Sequence, residues 1–213
     1  MKLLSIQVGL PREVRWQRRT VSTGIFKEPV QGPVLLRTLN LDGDRQADLS
    51  VHGGRQKAVY VYPVEHYAPW RAELPGVELA WGAFGENFTT EGLVEDEVHI
   101  GDRFRIGEAE VEVTQPRMPC YKLGVRFGDP GLVERFLESR RSGFYLAVLR
   151  EGHVEAGDPI EPLAIDPHQV TVTDINRLFF GERGEQDADT LARALQVEAL
   201  PDGWKAHLRR QLV

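Results

Sequence analysis

One thiol stands in the chain, Cys120, within Gln115-Pro116-Arg117-Met118-Pro119-Cys120-Tyr121-Lys122-Leu123. A lone cysteine forms no intrachain disulfide, so its importance lies in its chemistry or in filling space. Thiolate is the nucleophile and metal ligand, and neighbouring cations such as Arg117 and Lys122 favour that form. Pro116 and Pro119 fix φ and bias Gln115 and Met118 toward extended backbone. That presents the sulfur on a stiff loop rather than within a helix. The opposing reading is a small buried hydrophobe, a common fate of free cysteine.

Other common chemistries fail on spacing. Asp42, Asp44, Gln46 and Asp48 suggest a calcium loop, but Ala47 occupies the sharp-turn glycine position and Gly53 the bidentate glutamate position. His52-Gly53-Gly54 lacks the phosphate-loop spacing to Lys57, no Gly-x-Gly-x-x-Gly follows a strand, and Gly-x-Ser-x-Gly is absent. Six histidines and one cysteine show no repeated zinc spacing, and nothing resembles an iron–sulfur cysteine set.

The elements that must hold Cys120 read as mainly β. A hydrophobic share of 41% over 213 residues suffices for a packed core, and 21 glycines with 13 prolines favour turn-rich strands over a helix bundle. Lys2–Val8, Val34–Leu41 and Ala58–Tyr62 read as strands. Across 98–114, Phe104, Ile106, Ala109, Val111 and Val113 alternate with polar residues, the mark of antiparallel strands with one wet face. This pattern runs directly into the Cys120 loop. Pro63 opens a helix with Val64, Tyr67, Trp70 and Leu74 at helical spacing, which makes Tyr67 and Trp70 core. Asp129-Pro130 opens another, carrying Phe136 and stopped by Gly143, with Arg140 and Arg141 at its end. Phe144–Leu149 and His153–Ile160 read as a hairpin about Glu151-Gly152. Beyond Pro167 the strand patterns stop, and Thr173–Phe180, Asp189–Glu198 and Asp202–Leu212 read as three short helices. The expected organisation is a β domain over 1–165 and a helical segment over 166–213. The net charge of −6 gives no overall field to attract nucleic acid or anionic lipid. No apolar run approaches a membrane span, and the first residues do not form a signal peptide. A cytoplasmic protein is the default.

Four segments occur in order: Asn40-Leu41-Asp42-Gly43-Asp44-Arg45-Gln46-Ala47-Asp48; Val51-His52-Gly53-Gly54-Arg55-Gln56-Lys57-Ala58-Val59-Tyr60; Gly82-Ala83-Phe84-Gly85-Glu86-Asn87-Phe88-Thr89-Thr90-Glu91-Gly92-Leu93; and the Cys120 segment. Together they resemble the MOSC domain, the molybdenum cofactor sulfurase C-terminal family. More narrowly they resemble its stand-alone hydroxylaminopurine-resistance branch, whose extra three-helix (3-alpha) domain the tail matches. The resemblance implies a MOSC β-barrel core holding a molybdenum pterin (molybdopterin), with Cys120 as catalytic residue and molybdenum ligand. A soft thiolate suits a transition metal and must be deprotonated to bind. The pterin phosphate calls for cations and backbone N–H groups; Lys57, Arg117, Lys122 and the Gly53-Gly54 turn are candidates. His52 either serves cofactor and proton transfer or bonds a neighbouring loop. Glu86 and Asn87 either face the pterin or hold the Gly85 turn. Asp42, Asp44 and Asp48 either close turns or relay protons.

Similar proteins reduce N-hydroxylated compounds, including hydroxylaminopurine and hydroxylamines, to amines, and the same reaction is expected here. With no flavin or iron–sulfur site legible, electrons must come from a separate flavin or iron–sulfur reductase. The alternative is a non-catalytic carrier of sulfur or cofactor on Cys120. Whether the tail helices close the pocket or form a homodimer contact is left open by the sequence.

Overall fold

The computed structural model describes residues 1–49, 52–180 and 187–210. Among the described residues, twelve strands and six α-helices follow one another. The strands are β1 (Lys2–Val8), β2 (Arg12–Trp16), β3 (Arg19–Thr23), β4 (Glu28–Pro29), β5 (Val34–Leu36), β6 (Val59–Pro63), β7 (Phe88–Glu91), β8 (Arg103–Ile106), β9 (Ala109–Pro116), β10 (Phe144–Arg150), β11 (Gly152–Val154) and β12 (Ile160–Ala164). The helices are α1 (Tyr67–Glu73), α2 (Tyr121–Phe127), α3 (Leu132–Ser139), α4 (Val172–Phe180), α5 (Ala188–Gln196) and α6 (Asp202–Arg209). Eight strands form one sheet in the order β12-β8-β9-β10-β6-β7-β1-β4, antiparallel except for the parallel β6–β7 pair. The Leu3 amide donates to Asp158 O (3.0 Å) and the Ile160 amide to Met1 O (3.1 Å), joining β1 to the chain that leads into β12. The sheet thereby curls back on itself, which removes its exposed edges.

The alternating residues of β8 and β9 turn Phe104, Ile106, Ala109, Val111 and Val113 inward, as their spacing predicts. All five residues of β6 are buried, because helices and loops cover the face opposite the barrel interior. On that outer face lies a second, aromatic cluster containing Tyr60, Tyr62, Tyr67, Trp70, Phe84 and Phe136. The tail helices share the first cluster: Ile175, Leu178, Leu191, Trp204 and Leu208 pack into the same core as the barrel residues. Helices this short are marginal alone, and this burial supplies their stability.

Several local expectations are corrected. The Phe144–Ile160 hairpin does not form: β10 lies between β6 and β9, while β11 leaves to pair with β5 and β12 pairs with β8. The strand at Val34–Leu41 stops at Leu36, where Arg37–Asn40 turn on backbone hydrogen bonds in both directions. Pro63 ends β6 and caps a 3-10 turn, so the helix starts later, at Tyr67. The helix after Asp129 starts at Leu132 and ends on Arg140, itself in left-handed backbone (φ 58°), rather than on Gly143. Leu212, at the end of the third expected tail helix, lies outside the described residues.

Gly143 has another task. It adopts φ 62°, and a Cβ there would lie 2.3 Å from Val61 O. Its carbonyl accepts from the Arg117 amide (3.2 Å) and its amide donates to the buried Glu95 carboxylate (2.6 Å). Gly143→Ala is expected to destabilise the fold by about 1–3 kcal/mol from backbone strain alone. The backbone contact adds to that loss, which urea unfolding measures.

Candidate functional site

Strand β9 delivers Gln115 and Pro116 to the rim of the barrel, where the Arg117–Gly143 hydrogen bond is the last tie of the ladder region. Met118 and Pro119 then carry the chain out to Cys120, whose backbone remains extended (φ −118°, ψ 170°). The loop ends there. Cys120 is outside any helix, as its flanking prolines predict, and caps α2, a helix the sequence conceals because Gly124 interrupts its apolar face. A Cβ at Gly124 would lie 2.9 Å from Asp129 O, so that helix needs glycine to lie against the following turn.

The Cys120 sulfur is half-buried and 3.6 Å from His52 Nε2. Burial alone would raise its pKa. The His52 contact, the charge of Arg117 and the Lys122 amide outweigh that cost and leave the thiol pKa below its ordinary value. Arg117 is itself buried, its guanidinium 4.9 Å from the Tyr60 ring centroid and 5.1 Å from that of Phe136. Its cation thus rests against aromatic faces.

A narrow cleft of about 100 Å³ opens at Cys120. Five cations line it (Lys27, Arg45, Lys57, Arg117 and Lys122), together with His52, and none of the described residues on its walls is Asp or Glu. In a chain of net charge −6 this is a segregated positive site. The sequence-predicted residues Gly53, Lys57, Asn87, Arg117 and Lys122 come together with His52 and Cys120 on these walls. Gly54 stands one step outside, capping the 3-10 turn Arg55–Lys57 that presents Lys57. Glu86 does not line the cleft. It is fully buried and its carboxylate accepts from the Gly82 amide (2.7 Å), the Phe84 amide (3.1 Å) and the Tyr67 hydroxyl. It holds the Gly85 turn, and burial pushes its pKa up.

Sequence reasoning missed Lys27, Arg45 and Tyr145. Lys27 is almost wholly buried and paired with Asp44, which also accepts from the Gly9 amide (2.8 Å) and Asn87 Nδ2 (3.0 Å). Burial lowers the Lys27 pKa against the pull of Asp44. Nothing around Gly24-Ile25-Phe26-Lys27 signals this, since its partner lies 17 residues away. Tyr145 lines the cleft from β10, with its pKa raised by burial, so its hydroxyl stays protonated near neutrality. Of the acidic trio, Asp44 is locked in this pair and Asp42 pairs with Arg37 at the surface (2.6 Å).

The cleft widens into an outer cavity of about 700 Å³, within the range typical of small-molecule sites, that shares His52, Lys57, Cys120, Lys122 and Tyr145 with it. Phe179, Pro201 and Trp204 form its far wall, and Trp204 Nε1 donates to Gln115 Oε1 (3.0 Å), just upstream of the cysteine loop. The tail helices therefore wall the pocket.

The molybdenum pterin implied by the resemblance fits these residues. Cys120 supplies one sulfur of lowered pKa, the five cations suit a phosphate, and the buried His52 Nδ1 has no partner among the described residues. Among the described residues no group of three His, Cys, Asp or Glu could hold a metal ion.

The thiol's environment makes a direct prediction. Iodoacetamide should alkylate Cys120 with a pH midpoint below the ~8.5 of a free cysteine. His52→Ala should move that midpoint upward, because the thiolate loses its hydrogen-bond partner. A midpoint at or above the free value in the parent protein contradicts this geometry.

Comparison with known proteins agrees with the architecture. The MOSC domain family model matches residues 48–161, and the YiiM-like, 3-alpha helix domain matches residues 170–212. The chain is 39% identical over 209 residues to YflK, an uncharacterized protein of Bacillus subtilis, covering 98% of this chain and 93% of that one. It is 35% identical over 162 residues to a protein of Gibberella moniliformis named Reductase, covering 75% of this chain but 29% of that longer one. The crystal structure of YiiM from Geobacillus stearothermophilus superposes with a TM-score of 0.81 at 32% identity, covering 100% of this chain and 99% of that one. Half of the chain in one family model and a tail in another, on a matching fold, lead to one assignment: the protein belongs to the MOSC family, in its YiiM-like form with a 3-alpha domain.

Proposed function

We propose that this protein is a molybdenum-dependent oxidoreductase that reduces N-hydroxylated small molecules, such as hydroxylaminopurine or hydroxylamines, to amines. The observation that carries the reading is a lone sulfur of lowered pKa in a cleft lined by five cations and no described carboxylate. The relative named Reductase supports a redox role. When bound, the molybdenum pterin would supply the two-electron chemistry. The overall conversion joins one N-hydroxyl compound, two electrons and two protons to give the amine and water.

The chain's own residues have distinct tasks. Cys120 would hold the metal through its thiolate. Arg45, Lys57, Arg117 and Lys122 would bind the pterin phosphate, with Gly53 admitting backbone close to the ligand and Lys27, held by Asp44, fixing the wall behind them. Gly53 takes φ 79°, which suits glycine there. Asn87 fixes this wall through the Tyr60 amide (3.2 Å) and Asp44 rather than through a free side chain. His52, 3.6 Å from Cys120, and protonated Tyr145 are the groups placed to give protons to the departing oxygen. Phe179 and Trp204 would exclude water and offer apolar surface to a planar substrate. Electrons would come from a separate flavin or iron–sulfur reductase, since the single cysteine of the sequence cannot hold an iron–sulfur cluster.

Expression in a host that makes the cofactor, followed by metal analysis, tests this. About one molybdenum per chain is expected, with reduction of hydroxylaminopurine when an electron donor is added. Cys120→Ser should lower bound molybdenum by more than about 100-fold in affinity, since loss of even the outer partners of a metal site costs 10–100-fold. A molybdenum-free protein with a cyanolysable sulfur on Cys120 would instead identify a sulfur carrier.

A further inference from the structure

Behind the cleft, between the barrel and the first tail helix, lies a small cavity of about 10 Å³. Arg117 borders both spaces, and on this rear side it faces Asn176 of α4. Two buried polar atoms of these residues have no hydrogen-bond partner among the described residues: Arg117 Nη1, a donor, and Asn176 Oδ1, an acceptor. Arg117 is 6% and Asn176 2% exposed, so bulk solvent does not satisfy them. We infer that this cavity holds a fixed water molecule bridging Arg117 Nη1 to Asn176 Oδ1, which makes Asn176 a positioning residue for the guanidinium of the site.

The orientation of the Asn176 amide follows from its neighbours. Ser142 Oγ donates to Gly143 O (2.8 Å) and is therefore left to accept from Asn176 Nδ2 (2.9 Å). That arrangement turns Oδ1 away from Ser142. The helix is pinned as well, for Arg140 Nη1 donates to Asn176 O (3.2 Å). The occupant must accept a bond from a guanidinium and donate one to an amide oxygen. An anion cannot donate to Oδ1, and an apolar occupant leaves both atoms unsatisfied, at the cost that accompanies any buried unpaired polar group. Water does both, and a cavity of this size admits about one molecule. On the cleft side the guanidinium meets Tyr145 and, through a long Nη2 contact (3.4 Å), Phe84 O, which leaves Nη1 as the group without a partner among the described residues. With the water bridge, the tail aims the charge that faces Cys120 and the cleft.

The water bridge concerns Arg117 alone, whereas the positioning role rests on the proposed anion-binding cleft. A crystal structure of the full chain tests it directly. A water peak within hydrogen-bond distance of both Arg117 Nη1 and Asn176 Oδ1 is expected. An empty cavity, a direct contact between the two side chains, or an ion in place of water would overturn it. Asn176→Leu, which keeps the volume and removes the acceptor, should lose that peak. It should also weaken inorganic phosphate binding by the metal-free protein, read by calorimetry, by about tenfold, the low end for loss of a partner behind a ligand-contacting group. Unchanged phosphate affinity in a folded Asn176→Leu would rule out the positioning role. Should that variant not fold, the density in the parent protein decides the question.

Discussion

The guanidinium of Arg117 imposes the constraint from which much of this structure follows. It is buried, and among the described residues no carboxylate forms an ion pair with it. An uncompensated buried cation is costly, so the molecule surrounds this one with substitutes. Tyr60 and Phe136 offer ring faces, the Gly143 carbonyl takes the backbone amide, and the Cys120 sulfur lies within its field. The electrostatics run both ways: Arg117 favours the thiolate, and the thiolate favours the buried cation. An anion arriving in the cleft would extend the same compensation.

The other cation of the inner wall solves its burial differently. Lys27 has Asp44, and Asp44 draws in the Gly9 amide and the Asn87 amide group. One buried pair thus ties the N-terminal strand, the 24–27 segment, the Asp42–Asp48 loop and the Gly85 turn into a common wall. Breaking such a pair on one side leaves a buried charge alone, which is why the arrangement fixes the wall more firmly than turns alone would. The positive cleft is then a preformed feature of the fold rather than a collection of surface side chains.

The tail helices belong to the same physical unit. Their apolar residues complete the barrel core, Trp204 bonds to Gln115 beside the cysteine loop, and Asn176 stands behind Arg117. The segment after Pro167 accordingly acts as part of the site's wall. Matches of the two parts to separate family models record a division along the chain, whereas the packing records their union.

Much of this was legible in the residues. The alternation in β8 and β9, the three tail helices and the core positions of Tyr67 and Trp70 rest on local period, which tertiary contacts then reinforce. The cysteine, its flanking cations and the His52 turn were likewise visible as chemistry in search of a geometry. What escaped depends on distance along the chain. Lys27 acquires meaning only through Asp44, Tyr145 only because β10 is inserted between β6 and β9, and α2 only because Gly124 meets Asp129. The same holds for Glu86, whose buried carboxylate serves a turn instead of a ligand. The sequence by itself determined the reactive atom and the elements that carry it, because residue type and short-range period are local properties. Only the tertiary structure decided which charges face that atom and which are spent on one another, because burial and pairing are set by segments that meet from far apart.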